Sequence, residues 1–185
     1  HSGFYRSKTD DFKSIPGWPI AYWASDSLKK AFESGQKLGS LAASLNGLTT
    51  GNNNRFIRYW WEPSKYRCLL APVSRENALN SDAKWFSCNK GGDWRKWYGN
   101  NLWIINWQDD GKELRGYPRS TIRSPQYYFN EGVTWGDIST SSPSMRYSPT
   151  GFVMETAGSM FFPYRSTLLK TLLGFCNSTV SSAMT

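Results

Sequence analysis

The chain has 185 residues, 39% hydrophobic and 16% aromatic, enough for one globular domain that buries roughly 70% of its unfolded surface. Twenty-two Lys and Arg against fourteen Asp and Glu give a net charge of +8 and a pI near 9.5, which favours a polyanionic partner. Cys68, Cys88 and Cys176 are widely spaced, and no run approaches the ~18 apolar residues of a membrane span. A disulfide framework, a zinc site, a secretory leader and a membrane protein are therefore set aside, and a reducing cytoplasm is the expected setting.

Residues 1–24 form a Pro- and aromatic-rich lead-in, with Ile15-Pro-Gly-Trp-Pro-Ile-Ala-Tyr-Trp23 reading as extended or turn structure. Ser25 or Asp26 is placed to cap a short helix ending near Ser34, with Leu28, Ala31 and Phe32 inward and Gly35 as the C-cap. Residues 37–48 read as a strand, and residues 55–61 as a second one, rich in β-formers and stopped by Pro63. Trp60 and Trp61 face opposite ways on that strand, so at least one is expected in the core. Further strands are predicted at 103–107, 133–138, 145–147 and 152–155, separated by turn signals such as Asp109-Asp-Gly111 and Ser148-Pro-Thr-Gly151. Residues 166–183 space Leu168, Leu169, Leu172, Leu173, Phe175 and Cys176 as a packing helix. The expected fold is α+β: a twisted mixed or antiparallel sheet with few helices in a domain over 25–165, then a C-terminal packing helix over 166–185.

Two segments are hard to explain by core burial. Asn89-Lys-Gly-Gly-Asp-Trp-Arg-Lys-Trp-Tyr-Gly-Asn100 holds three cations, three aromatics and three glycines with no helical or strand period. Lys90, Arg95 and Lys96 are suited to phosphates, and Gly91-Gly92 permits a close backbone approach. Thr49-Thr-Gly-Asn-Asn-Asn-Arg55 offers Asn52, Asn53, Asn54 and Arg55 for bidentate contacts to base edges. A third polar stretch contributes Ser139, Ser144 and Arg146.

The missing chemistry is equally informative. The sole histidine is His1, which reads as a tag remnant, so no Ser-His or Cys-His dyad is available. The 16 glycines contain no Gly-x-Gly, no Gly-Lys-Ser/Thr occurs, and no two prolines are adjacent. Asp109, Asp110 and Glu113 beside a turn read as a solvated loop. The chain is not expected to be an enzyme by itself, nor to bind a cofactor or metal.

These residues resemble the target-recognition domain of BREX-type (PglX-like) adenine-specific DNA methyltransferases and related fused restriction–modification enzymes. The resemblance runs through Ile15–Trp23, Leu48–Phe56, Trp85-Phe86 with Asn89–Asn100, Tyr128–Trp135, Arg146–Phe152, Ala157-Gly-Ser159 and Leu172–Ser178. It implies a fragment of a longer bacterial protein whose separate catalytic domain binds S-adenosylmethionine and carries Asn-Pro-Pro-Tyr. The segment here would select the site on double-stranded DNA and contact that methyltransferase domain. A carbohydrate-binding module and a single-strand or RNA binder are the alternatives, since ten tryptophans suit either.

Overall fold

In the computed structural model the described residues are 8–15, 20, 24–137 and 144–184. They fall into two units, His1–Leu41 and Ala42–Thr185. Most of the lead-in around the Pro-Gly-Trp-Pro stretch lies outside the described residues.

In the first unit a 3-10 turn, Thr9–Ser14, is followed by helix α1, Asp26–Ser34. Ser25 Oγ accepts from the Leu28 amide at 3.2 Å, and the Gly35 amide closes the far end on the Ala31 carbonyl at 2.9 Å. The predicted caps are thus both in place. Leu28 and Phe32 pack on buried Ile15 and Ala24, whereas Ala31 is exposed.

The second unit is built from two sheets. One has the order β1 (Ala42–Leu45), β9 (Met160–Pro163), β6 (Gly132–Thr134), β7 (Arg146–Ser148), with every pair antiparallel. The other runs β2 (Ile57–Tyr59), β5 (Trp103–Asn106), β4 (Trp85–Asn89), β3 (Cys68–Leu69). Beyond β3, strand β8 (Phe152–Met154) takes over the free half of the β4 edge in parallel register, pairing Ser87 with Phe152 and Asn89 with Met154. The α+β expectation, a mixed and antiparallel β structure with few helices, therefore holds.

Strand β4 is buried at every position and is paired along both edges. Its sequence, Trp-Phe-Ser-Cys-Asn, hides this: a central strand need not alternate in polarity. The two polar members are satisfied inside, Ser87 Oγ by the Leu70 carbonyl at 2.7 Å and Asn89 Nδ2 by Ser148 Oγ at 2.7 Å. Phe86, Cys88, Ile105, Met160 and Phe162 meet Leu48, Phe56, Trp107, Tyr128 and Val153 in one core that draws on both sheets.

Several expected elements change form. Residues 37–48 give only β1, after a 3-10 turn at Leu38–Ser40. The start of the predicted 55–61 strand is instead α2, Asn53–Phe56, because Asn52 caps it and capping outweighs the β preference of Phe56 and its successors. With β2 ending at Tyr59, Trp60 and Trp61 lie in a turn and are 49% and 55% exposed, so neither is core. Two further helices are α3, Arg75–Leu79, and α4, Gln108–Arg115. Asp109, Asp110 and Gly111 hold φ of 52°, 57° and 75°, so the predicted turn sits inside α4. The C-terminal helix is split into α5, Leu169–Cys176, and α6, Thr179–Met184, with Leu169, Leu172 and Cys176 buried.

The acidic cluster, expected as a solvated loop, is exposed at Asp109 and Glu113, but Asp110 and Glu113 are paired. Asp110 accepts from Arg75 Nε at 2.8 Å and from Arg115 Nη2 at 3.1 Å, and Glu113 accepts from Arg55 Nε at 2.8 Å and Asn106 Nδ2 at 2.6 Å. Burial pushes the Asp110 carboxyl up, but the Arg75 hydrogen bond and the charges of Arg75 and Arg115 outweigh it and hold it below the ordinary aspartate range.

Candidate nucleic-acid interface

The 49–56 segment is pinned before it presents anything. Thr50 is 1% exposed and its hydroxyl donates to Asn53 Oδ1 at 2.6 Å. Asn52 Oδ1 accepts from the Arg55 amide at 3.1 Å, so this side chain is used as a helix cap. Asn53, Asn54 and Arg55 are exposed. Arg55 is held by Glu113 and lies over the Phe56 and Tyr117 rings at 5.3 and 5.5 Å. Its hydrogen bond is the main reason the Glu113 carboxyl sits below its ordinary range.

The 89–100 segment is shaped by its glycines. Gly91 has φ 69°, and a side chain there would begin 2.5 Å from the Ala157 carbonyl oxygen. Gly92 has φ 118° and runs against the Asn100 side chain, whose Nδ2 donates to the Asp93 carbonyl at 2.8 Å. The segment then joins the first sheet at the free edge of β7: the Trp97 amide donates to the Met145 carbonyl at 2.9 Å and the Tyr147 amide to the Trp97 carbonyl at 2.8 Å. Trp97 is held at φ 76°, a left-handed conformation that a bulky residue adopts only when its surroundings impose it. Trp94, Trp97 and Tyr98 are each a little over half exposed, with 54%, 53% and 56% of their surface in solvent.

The cations of this loop differ in availability. Lys90 lies 3.8 Å from the buried Glu155 carboxylate. Lys96 Nζ donates to the Asn177 carbonyl at 2.8 Å. Arg95 is exposed and has no acidic partner among the described residues. Asn177 is a residue that sequence reasoning passed over. It is 5% exposed; its Oδ1 accepts from the Met145 amide at 2.9 Å and its Nδ2 donates to the Met145 carbonyl at 2.8 Å, so it clamps β7 and the loop to α5. The available signal was its place in Leu-Leu-Gly-Phe-Cys-Asn-Ser, a motif weak by itself.

Two of the three predicted segments meet. Thr49 lines, with Lys90, Gly91 and Gly92, a cleft of about 400 Å³ whose wall also holds Asp137, Glu155 and Thr156, while Asn52–Arg55, Arg95 and Lys96 are outside its lining. The third behaves otherwise. Ser139 lies outside the described residues. Ser144 and Arg146, expected on an exposed polar loop, are 9% and 2% exposed. Arg146 is on β7 opposite Thr134, a sheet position whose neighbour two residues on, Ser148, is also buried. Its Nε and Nη1 have no hydrogen-bond partner. Burial, and then the nearby charge of Arg95, push its guanidinium below the ordinary arginine range.

The glycine-lined cleft holds one cation, Lys90, two carboxylates, Asp137 and Glu155, and the hydroxyls of Thr49 and Thr156, which bond each other at 3.0 Å. Among the described residues no group of His, Cys, Asp and Glu is arranged to hold a metal ion. No described helix is long and apolar enough to cross a membrane.

No model of a known protein family matches the chain. It is 39% identical over 190 residues to the adenine-specific methyltransferase PglX of Lacticaseibacillus casei (strain Zhang), a match covering 97% of this chain and 15% of that protein. It is 41% identical over 161 residues to the adenine-specific methyltransferase BrxX of Escherichia coli O9:H4 (strain HS), covering 86% of this chain and 12% of that protein. The chain thus spans about one seventh of the length of the curated relatives it matches.

Proposed function

We propose that this chain, a PglX-like segment of the BREX adenine-specific methyltransferases, is the module by which such an enzyme recognises double-stranded DNA. The observation that carries this reading is the meeting of the 49–55 and 90–96 segments at one cleft through Thr49 and Lys90–Gly92, with Arg95 exposed further along the second segment. Exposed Asn53 and Asn54 suit base edges, and the 90–96 loop suits phosphates, which fix register without reading sequence. S-adenosylmethionine and the chemistry of methyl transfer would belong to the rest of the protein. That transfer to the adenine N6 amino group requires the base to be flipped out of the stack while this module holds the duplex. A bacterial cytoplasm, in a phage-defence system, is the setting this reading implies.

One feature favours stacking on unpaired bases or sugars: Tyr59 stacks on Trp61 at 4.7 Å and on Trp103 at 4.2 Å, beside half-exposed Trp60. Competition among duplex DNA, single-stranded DNA, RNA and glycans distinguishes the readings. Duplex is expected to win, with a log–log salt slope on the order of −3 if Arg95, Lys96 and one further cation meet phosphates. Affinity that is insensitive to salt, or a preference for glycan or single strands, overturns the duplex reading.

A further inference from the structure

We propose that Arg146 and Arg95 together form a receptor for one oxyanion, and that in the complex this anion is a phosphodiester of the duplex backbone. The proposal rests on the DNA-binding reading above and assigns Arg146 to clamping rather than to base readout.

The starting observation is a guanidinium with nothing to bind. Arg146 is 2% exposed, and its Nε and Nη1 are buried without a partner. Leaving a buried charge unpaired is strongly unfavourable, so a fold that keeps one in place calls for a ligand to explain it. The polar groups around it are committed elsewhere. Thr134, directly across the strand pair, gives its hydroxyl to the Gly158 and Ser159 carbonyls at 3.3 and 3.0 Å. Asn89 and Ser148 bond each other at 2.7 Å. Three other arginines of the unit are on acids: Arg55 on Glu113, and Arg75 and Arg115 on Asp110. Arg146 has none among the described residues, and its charged neighbour is a second arginine.

The fold also positions that neighbour. Trp97 is hydrogen-bonded along the edge of β7 as the bridge partner of Arg146, so Arg95, two residues before it, comes near enough for its charge to act on Arg146. Arg95 runs across Gly99, where a side chain would begin 2.6 Å from Arg95 Cδ and 2.8 Å from Nη1. Two guanidiniums of like charge, one buried and one exposed, repel each other until an anion lies between them. A phosphodiester has oxygens to accept from both forks and arrives from the solvent side, where Arg95 is exposed. A side chain that is 2% exposed does not protrude far enough to read a base edge in the major groove, whereas it can back up a phosphate held by its neighbour.

The test uses the 185-residue chain with two probes. Thermal unfolding is measured in sodium phosphate against sodium chloride at equal ionic strength. Duplex DNA affinity is then measured across a salt series. Wild type is expected to gain several degrees in phosphate, and both Arg146→Met and Arg95→Gln to lose that gain. Each variant is expected to flatten the DNA salt slope by about 0.9, equally on any sequence. If Arg146→Met fails to fold, Arg95→Gln, changed at an exposed position, carries both readouts. No phosphate gain in wild type overturns the site, whatever the stability of Arg146→Met. A phosphate gain with an unchanged DNA slope overturns the phosphodiester as its occupant, while the DNA reading stands. Absence of any duplex binding by wild type removes the DNA reading itself, and the phosphate arm still reports whether the anion receptor exists.

Discussion

Asp110 shows how a residue's role depends on what folds beside it. In sequence it belongs to an acidic turn; in the structure it joins Arg75 of α3 to Arg115 of α4. Its carboxyl is held below the ordinary value of 3.8 when folded, so the folded state binds that proton less readily than the unfolded chain. The resulting stabilisation is fully present above about pH 4 and is lost as pH falls through the lower folded value. Asp110→Asn is expected to cost roughly 1–3 kcal/mol at neutral pH and to flatten the acid limb of a plot of melting temperature against pH. An acid limb identical to wild type would show that the pair contributes nothing to folding. Gly47 makes a second case at this scale. A side chain there would begin 2.1 Å from the Met154 carbonyl oxygen, and Leu48 must still donate to that oxygen at 2.9 Å. Gly47→Ala is expected to destabilise by about 3 kcal/mol or more, read as a shift in the urea midpoint.

At the scale of elements, the 90–100 loop owes its order to a neighbour far away in the chain. Asn177, just past α5, imitates a strand partner for Met145 and receives Lys96 on its carbonyl. Asn177→Ala removes both side-chain bonds to Met145 and is expected to cost about 2 kcal/mol. Hydrogen exchange at the Trp97 and Tyr147 amides is expected to accelerate in that variant, while exchange within β4 changes only with global stability. Equal acceleration everywhere would mean that Asn177 supports the whole unit rather than this edge. The helix α2 poses the converse case. Asn52 is consumed by capping and Asn53 Oδ1 accepts from Thr50, so among the three consecutive asparagines Asn54 keeps its whole side-chain amide for a partner and Asn53 its Nδ2.

At the scale of the whole molecule, the proposed division of labour between clamping and reading makes a distinct prediction for a methyltransferase that contains this segment. Lys96→Ala is expected to weaken methylation about equally on all sites, because a phosphate contact carries no base information. Asn53→Ala is expected to relax discrimination at one base pair, by roughly 1–3 kcal/mol if the contact is bidentate. Genome-wide mapping of methylated adenines separates them: a thinner but unchanged motif for Lys96→Ala, a degenerate motif for Asn53→Ala. An unchanged motif in both removes Asn53 from the reading surface. The 185-residue chain alone is expected to give no saturable heat with S-adenosylmethionine, since it holds no Gly-x-Gly loop, and a micromolar dissociation constant would contradict that.

The features legible along the chain were local: the Ser25 and Gly35 ends of α1, the turn at Asp109-Asp-Gly111, most short strands, and the two loops whose glycines and cations have no place in a periodic core. Each of these is decided within a few residues by capping, left-handed backbone or side-chain chemistry. The ordered blocks of the sequence also carried the family likeness. Tertiary packing settled which strand is central, since β4 finds partners on both edges that its own pattern does not announce. It left Trp60 and Trp61 outside, because β2 ends one residue before them. It also determined which charges are spent and which are spare. Arg55 and Asp110 found partners distant in sequence, whereas Arg146, one more arginine in a polar stretch when read in line, was enclosed without an acid because no pairing rule along the chain reports what packs against a side chain.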